Sequence, residues 1–246
     1  MKKILFIFII FSGCFTKTDN ALIIGHRGAK GHVAENTLAS IKKAIELGAD
    51  GIEIDVFRCL SGEIVVFHDS SLSKLTDGTG LIEKKTLKEL KQLKVLGTQE
   101  QIPTLLEVFE LIDENVFLNI ELKGSNTAKG SLEIVKNELS KNKALHKNIL
   151  FSSFNWDELR ELRKLDSEIK IALITKKDPL LAIGPALSLN ASAINPFHKT
   201  LNKQNTSAIY KAGLKIYTWT VNTKDQFTKM KRLGIHGIIT DFPERR

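Results

Sequence analysis

The chain has 246 residues, of which 42% are hydrophobic, 26% are charged and five are proline, which excludes a disordered or collagen-like protein and allows one full-sized core. Its 36 Lys and Arg against 28 Asp and Glu give a formal charge of +8, a balance open to nucleic acid, an anionic membrane surface or an anionic substrate. The basic residues are spread out, with lysine clusters at 84–94 and 136–147 and no arginine-rich block or aromatic–basic interleaving, so nucleic acid is not an expected partner and most of these lysines read as solvated helix faces.

In chain order, Met1-Lys2-Lys3 and the apolar run 4–11 have the pattern of a secretory leader, too short for a stable membrane span. Ser12-Gly13-Cys14 resembles a bacterial lipoprotein cleavage box, with Phe11 where leucine is usual. The expectation is a leader over 1–13, cleavage before Cys14 and lipidation of that cysteine, which would hold an exported protein at a membrane surface. An ordinary signal cut before Asn20, giving a periplasmic or secreted protein, is the plainer alternative. The other cysteine, Cys59, would then have no disulfide partner.

From residue 21 onward short apolar runs alternate with amphipathic ones. Strands are predicted at 22–25, 51–56, 64–67, 116–122, 149–152, 169–174, 192–195, 215–220 and 237–240. Helices are predicted at 35–47, with Leu38, Ile41 and Ile45 on one face, and at 86–93, 105–112, 132–139, 156–165, 203–211 and 224–233. Gly48, Gly213 and Gly234 stand at helix stops. Alternating βα units predict a (β/α)8 TIM barrel over 21–246, with one strand surplus. The gap between 51–56 and 64–67 is too short for a crossover helix. The long connection 68–115 reads as an excursion carrying two small helices.

The polar residues at the strand ends converge. His26-Arg27 ends the first strand, and His68-Asp69 follows the third. Glu53 and Asp55 share one face of the second strand by period-2 alternation, as do Asn119, Glu121 and Lys123 on the fourth. Trp219, Asn222 and Asp241 close the last two strands, so a barrel would bring all of these to one mouth. Three inward carboxylates would repel one another unless a divalent cation sat among them, and an all-oxygen set suits Ca²⁺ or Mg²⁺. Arg27 and Lys123 are either counter-ions or anchors for an anionic substrate such as a phosphate. Trp219 is either core or an apolar substrate wall, and Asp69 either orients a neighbour or caps a turn.

Taken together, His26-Arg27, Glu35-Asn36-Thr37-Leu38, Glu53-Ile54-Asp55, Val65-Val66-Phe67-His68-Asp69, Asn119-Ile120-Glu121-Leu122-Lys123, Thr218-Trp219-Thr220-Val221-Asn222 and Thr240-Asp241-Phe242-Pro243 resemble the glycerophosphodiester phosphodiesterase family. The resemblance implies a barrel, one divalent metal (Ca²⁺ or Mg²⁺) on Glu53, Asp55 and Glu121, and cleavage of small glycerophosphodiester substrates. It implies His26 as general base and His68 as general acid, Arg27, Lys123 and Trp219 toward the substrate, and Glu35 and Asp69 in support. Ala34 stands where proline is usual and Cys59-Leu60-Ser61-Gly62 replaces a Thr-x-Asp-Gly turn, which bears on loop shape. A phospholipase D- or C-like enzyme on intact or lyso lipids, and a non-catalytic metal- and phosphate-binding surface lipoprotein, are the alternatives. No oligomer interface is legible.

Overall fold

A computed structural model describes residues 21–245; the leader expected over 1–13 and the lipidation expected at Cys14 lie outside them. Nine strands form one sheet: β1 (Leu22–His26), β2 (Gly51–Arg58), β3 (Ile64–Val66), β4 (Phe117–Leu122), β5 (Ile149–Ser153), β6 (Ile171–Thr175), β7 (Ala193–Pro196), β8 (Lys215–Thr218) and β9 (Gly237–Thr240). All pairings are parallel except β2–β3, and β1 pairs with both β2 and β9, so eight parallel strands close into a TIM barrel. The surplus strand is β3. It lies antiparallel on the end of β2, with Val56 opposite Val66 and Arg58 opposite Ile64, because the five residues between them permit only a hairpin.

The strands alternate between two environments. Outward residues such as Ile52, Ile54, Leu118, Ile120, Leu173 and Ile238 are fully buried beneath the surrounding helices. Inward, the lower barrel is plugged by Ile24, Phe117, Leu150, Ala172, Ala193, Tyr217 and Ile239. The Phe117 and Tyr217 rings stack at 5.3 Å across it. Gly51 and Gly237 make room for that pair: a Cβ would lie 2.8 Å from Phe117 Cβ in one case and 2.5 Å from Tyr217 Cδ1 in the other. Above this layer the inward residues turn polar, at Glu53, Asn119, Ser152 and Asn195, then at Asp55 and Glu121. Hydrophobic side chains close the bottom, so the polar ones are left to line the top.

Eight α-helices complete the described fold: α1 (Leu38–Glu46), α2 (Leu87–Leu90), α3 (Leu105–Leu111), α4 (Thr127–Lys141), α5 (Trp156–Leu165), α6 (Ile183–Ser188), α7 (Lys203–Lys211) and α8 (Lys224–Leu233). Thr37, Thr104, Asn202 and Thr223 cap α1, α3, α7 and α8 through their side-chain oxygens. Gly48, Gly213 and Gly234 take positive φ at the predicted stops. α4 begins five residues before its predicted start. Its N-cap, Asn126, is left-handed with no side-chain bond of its own, and Glu158 of α5 instead accepts from the Asn126, Thr127 and Ala128 amides at 2.8–2.9 Å. α6 has no predicted counterpart, since Gly184 and Pro185 stand inside it.

The excursion is real but shorter than 68–115. Val66 N donates to Pro103 O and Val65 bridges Thr104, so the chain is back on β3 before α3 starts, and α3 is the barrel's own crossover helix. The excursion itself holds 3-10 turns at Leu72–Lys74 and Ile82–Lys84 and the single-turn α2. Its small core of Phe57, Cys59, Val65, Phe67, Leu72, Ile82, Leu90 and Ile102 anchors it over one side of the mouth.

Candidate active site

The first βα turn builds half of the site. After His26 the chain goes left-handed at Arg27 (φ 52°) and Gly28 (φ 82°), which turns the Arg27 amide inward to donate to Glu53 Oε2 at 2.9 Å. Only glycine fits at 28, because a Cβ there would lie 2.4–2.6 Å from Ser40 Oγ, C and O. The Arg27 guanidinium pairs with Glu35 at 2.5 Å and with Asp55 at 3.2 Å, and Lys30 holds the second Glu35 oxygen at 2.9 Å. Asn36 (φ 57°) donates its amide to Asp55 Oδ2 at 2.9 Å and accepts from the Asp55 backbone N–H at 3.3 Å. The Glu35-Asn36-Thr37 run therefore has a physical account: Glu35 fixes Arg27, Asn36 fixes Asp55 and Thr37 caps α1. Thr37 also donates to Ala34 O at 2.7 Å, so this turn forms with alanine at 34.

Glu53, Asp55 and Glu121 present carboxylate oxygens that all lie within 4.8 Å of one another. Burial pushes Glu53 well above the usual carboxylate range, and the charges of Asp55 and Glu121 push it further. Glu121 is pushed up to about 7 by burial and by Asp55, against the pull of Lys123. Asn119, level with Glu53 on β4, lines the same cavity, and its buried Oδ1 has no hydrogen-bond partner among the described residues. Converging buried carboxylates beside an orphaned amide oxygen fit a hard divalent cation held by oxygen alone, so these residues could hold Ca²⁺ or Mg²⁺.

The two histidines flank this group in similar settings. His26 Nδ1 meets Asp241 Oδ1 at 2.6 Å, and Asn222 donates to the other Asp241 oxygen at 2.6 Å. His68 Nδ1 is bonded to Asp69, which also pairs with Lys74 at 3.3 Å. Asp69 is thus placed to orient His68, one of the two readings its sequence position allows. Burial lowers both imidazoles below the ordinary histidine value, most completely for His26, which keeps them neutral with Nδ1–H toward a carboxylate and Nε2 unprotonated. Lys123 lies 3.3 Å from His68 Nε2, 3.0 Å from Glu121 and 3.7 Å from Asp55. Burial works against its charge, but the two carboxylates outweigh that and hold it above the usual lysine range.

A cavity of about 440 Å³ opens over these groups. His26, Arg27, Glu53, His68, Glu121 and Lys123 line it, as the strand ends predict, and Trp219 forms an apolar wall. Trp219 is fixed by its indole N–H donating to Asn195 O at 2.8 Å and by the edge of Phe154 at 5.5 Å. Glu35 and Asp69 stand behind the wall. Asp241 and Asn222 fall at the mouth from sequence alone, but their grip on His26 comes from closure of β9 onto β1. Phe154 and Lys176 join the site without any signal in local spacing, whereas Asn36 lies in the Glu35-Asn36-Thr37 run and Asn195 ends a predicted strand.

The same arrangement has relatives. Residues 26–245 match the model of the glycerophosphoryl diester phosphodiesterase family. A glycerophosphodiester phosphodiesterase of Caldanaerobacter subterraneus subsp. tengcongensis is 38% identical over 232 residues, covering 91% of this chain and 95% of that protein. Among solved structures, an Oleispira antarctica phosphodiesterase in complex with the product sn-glycerol 3-phosphate aligns with a TM-score of 0.84 and 34% identity, covering 91% of this chain and 94% of that one. A Thermotoga maritima glycerophosphodiester phosphodiesterase aligns with a TM-score of 0.78 and 31% identity over 92% and 96% of the two chains. With this sequence match and barrel, the chain belongs to the glycerophosphoryl diester phosphodiesterase family.

Proposed function

We propose that this phosphodiesterase hydrolyses glycerophosphodiesters to sn-glycerol 3-phosphate and an alcohol with the help of one divalent cation. The observation that carries the reading is the cavity that joins Glu53, Glu121, two carboxylate-held histidines, Arg27 and Lys123, with Asp55 buried against the two glutamates. Glu53, Asp55 and Glu121 would hold Ca²⁺ or Mg²⁺, which when bound supplies a Lewis acid for a phosphoryl oxygen.

Arg27 and Lys123 bind and offset the charge of the phosphodiester, whose anionic oxygens otherwise repel a nucleophile. His26, neutral and held by Asp241, takes at Nε2 the proton of the attacking oxygen, either of water or of the glycerol 2-hydroxyl, the latter giving a cyclic phosphate that water then opens. His68 gives a proton to the departing alkoxide. For that its Nε2 must gain a proton, and a bound phosphate favours this by drawing the Lys123 ammonium off Nε2 and adding negative charge beside the ring. Trp219 packs against carbon atoms of the substrate. The leader and Cys14 would place this chemistry at a membrane surface.

Phosphorus NMR of glycerophosphoethanolamine, with Ca²⁺, with Mg²⁺ and with EDTA, tests the reading. Glycerol 3-phosphate should appear only when metal is present. A spectrum that stays unchanged with either cation would remove soluble glycerophosphodiesters as substrates.

A further inference from the structure

One cation in the cavity has no assigned task. Lys176 follows β6 at the mouth, exposed, with its Nζ 5.5 Å from the ring centroid of Phe154 and 5.5 Å from that of Trp219. The two rings meet edge to face, so the ammonium sits in an aromatic corner. Among the described residues no carboxylate forms an ion pair with it. Lys176 also lines a second cavity of about 410 Å³ and is the residue that the linings of the two share. There Asp178 accepts from the Leu180 amide at 3.0 Å and keeps its negative charge. Asn202 and Asn205 are engaged with each other's backbone and with Thr200. The charged groups lining this second cavity are the ammonium groups of Lys176 and Lys177 and the single carboxylate of Asp178.

An aromatic corner open to solvent attracts quaternary ammonium groups, because the ring faces carry negative charge. Here a protein ammonium already covers both faces and repels a second cation. An anion arriving at the same point meets the Lys176 ammonium, which no carboxylate pairs among the described residues, with the Lys123 ammonium 5.9 Å from the same Phe154 ring. Resting on the phosphodiesterase reading above, we infer that Lys176 selects the alcohol portion of the substrate, favouring glycerophosphodiesters that carry a further anionic group there over those that carry quaternary ammonium.

The test compares kcat/KM for glycerophosphoinositol 4-phosphate, glycerophosphoglycerol and glycerophosphocholine in the wild-type protein, Lys176→Met and Lys176→Glu at low ionic strength. Methionine keeps an apolar stem on the rings and removes only the charge. The ratio of the inositol phosphate ester to the choline ester should fall about tenfold in Lys176→Met, further in Lys176→Glu, and shrink with added salt in the wild type. An equal ratio in all three proteins would overturn the inference, as would a uniform loss on every substrate. If the wild type hydrolyses none of the three while metal is present, the phosphodiesterase reading itself fails and the inference goes with it.

Discussion

On the proposed mechanism Asp241 acts through His26, without itself reaching the substrate. Its carboxylate holds the His26 N–H at 2.6 Å and is itself held by Asn222, so the ring keeps Nε2 free for a proton. In Asp241→Asn the amide can donate to Nδ1 and leave the proton on Nε2, the wrong tautomer for a base. We expect kcat to fall by about 10²–10⁴-fold with little change in KM. His26→Ala should lose a similar factor, and the double variant little more, because the two residues act as one unit. Steady-state kinetics of the three variants checks this; full additivity would separate Asp241 from His26. His26 and His68 were legible in the sequence as chemistry-bearing residues at the ends of apolar runs, and Glu53, Asp55, Glu121 and Lys123 by their two-residue alternation with apolar neighbours. The Asp241–His26 bond was not, since 215 residues separate its partners and only ring closure joins them.

Elements carry their own tests, because tight joints in this barrel are made by residues with no side chain or no charge. Gly28→Ala would drive a Cβ into the Ser40 backbone at positive φ, destabilising by about 1–3 kcal/mol or more. Gly184→Ala, inside α6 with nothing within 4 Å beyond its chain neighbours, gains helix propensity but sets a Cβ against Pro185, so it should move stability much less than Gly28→Ala. Urea unfolding midpoints of the two check this. His236, just before β9, accepts from the Ile216 amide through Nδ1 at 3.3 Å and packs on Tyr210, and burial pushes its pKa down to about 4. Its folded value lies below the unfolded ~6.5, so its contribution is full above pH 6.5 and is lost as pH falls from there toward 4. The side chain is only partly buried, so the loss is on the order of 1 kcal/mol after solvent screening. Urea midpoints at pH 7.5 and pH 5 should show a smaller difference in His236→Asn than in the wild type. The strands were legible from their apolar runs, whereas α6 was hidden by Gly184-Pro185 and the start of α4 by a cap that comes from Glu158 on another helix.

For the whole molecule, binding of a cation to the folded state alone must raise stability by mass action. At a concentration a hundred times its Kd the gain is about 2.7 kcal/mol, equivalent to roughly 5–10 °C in Tm for a domain of this size. Differential scanning calorimetry with EDTA, Ca²⁺ and Mg²⁺ should show that rise. In Glu53→Gln and Glu121→Gln the rise should shrink, even if EDTA-treated protein becomes more stable as repulsion among the carboxylates is relieved. A Tm that ignores both cations would remove the metal from Glu53, Asp55 and Glu121.

Local pattern alone determined that the chain alternates strand and helix, that Glu53 and Asp55 share a face, and that polar residues gather where strands end. These follow from a two-residue period and from the burial of apolar side chains, both of which act over a few residues. The tertiary structure decided what no window contains. It returned the excursion to β3 at Pro103 and Thr104, and joined Asp241 to His26. It also set Lys176 in the corner between Phe154 and Trp219. Each of these joins residues far apart along the chain, and the closed barrel alone sets where they meet.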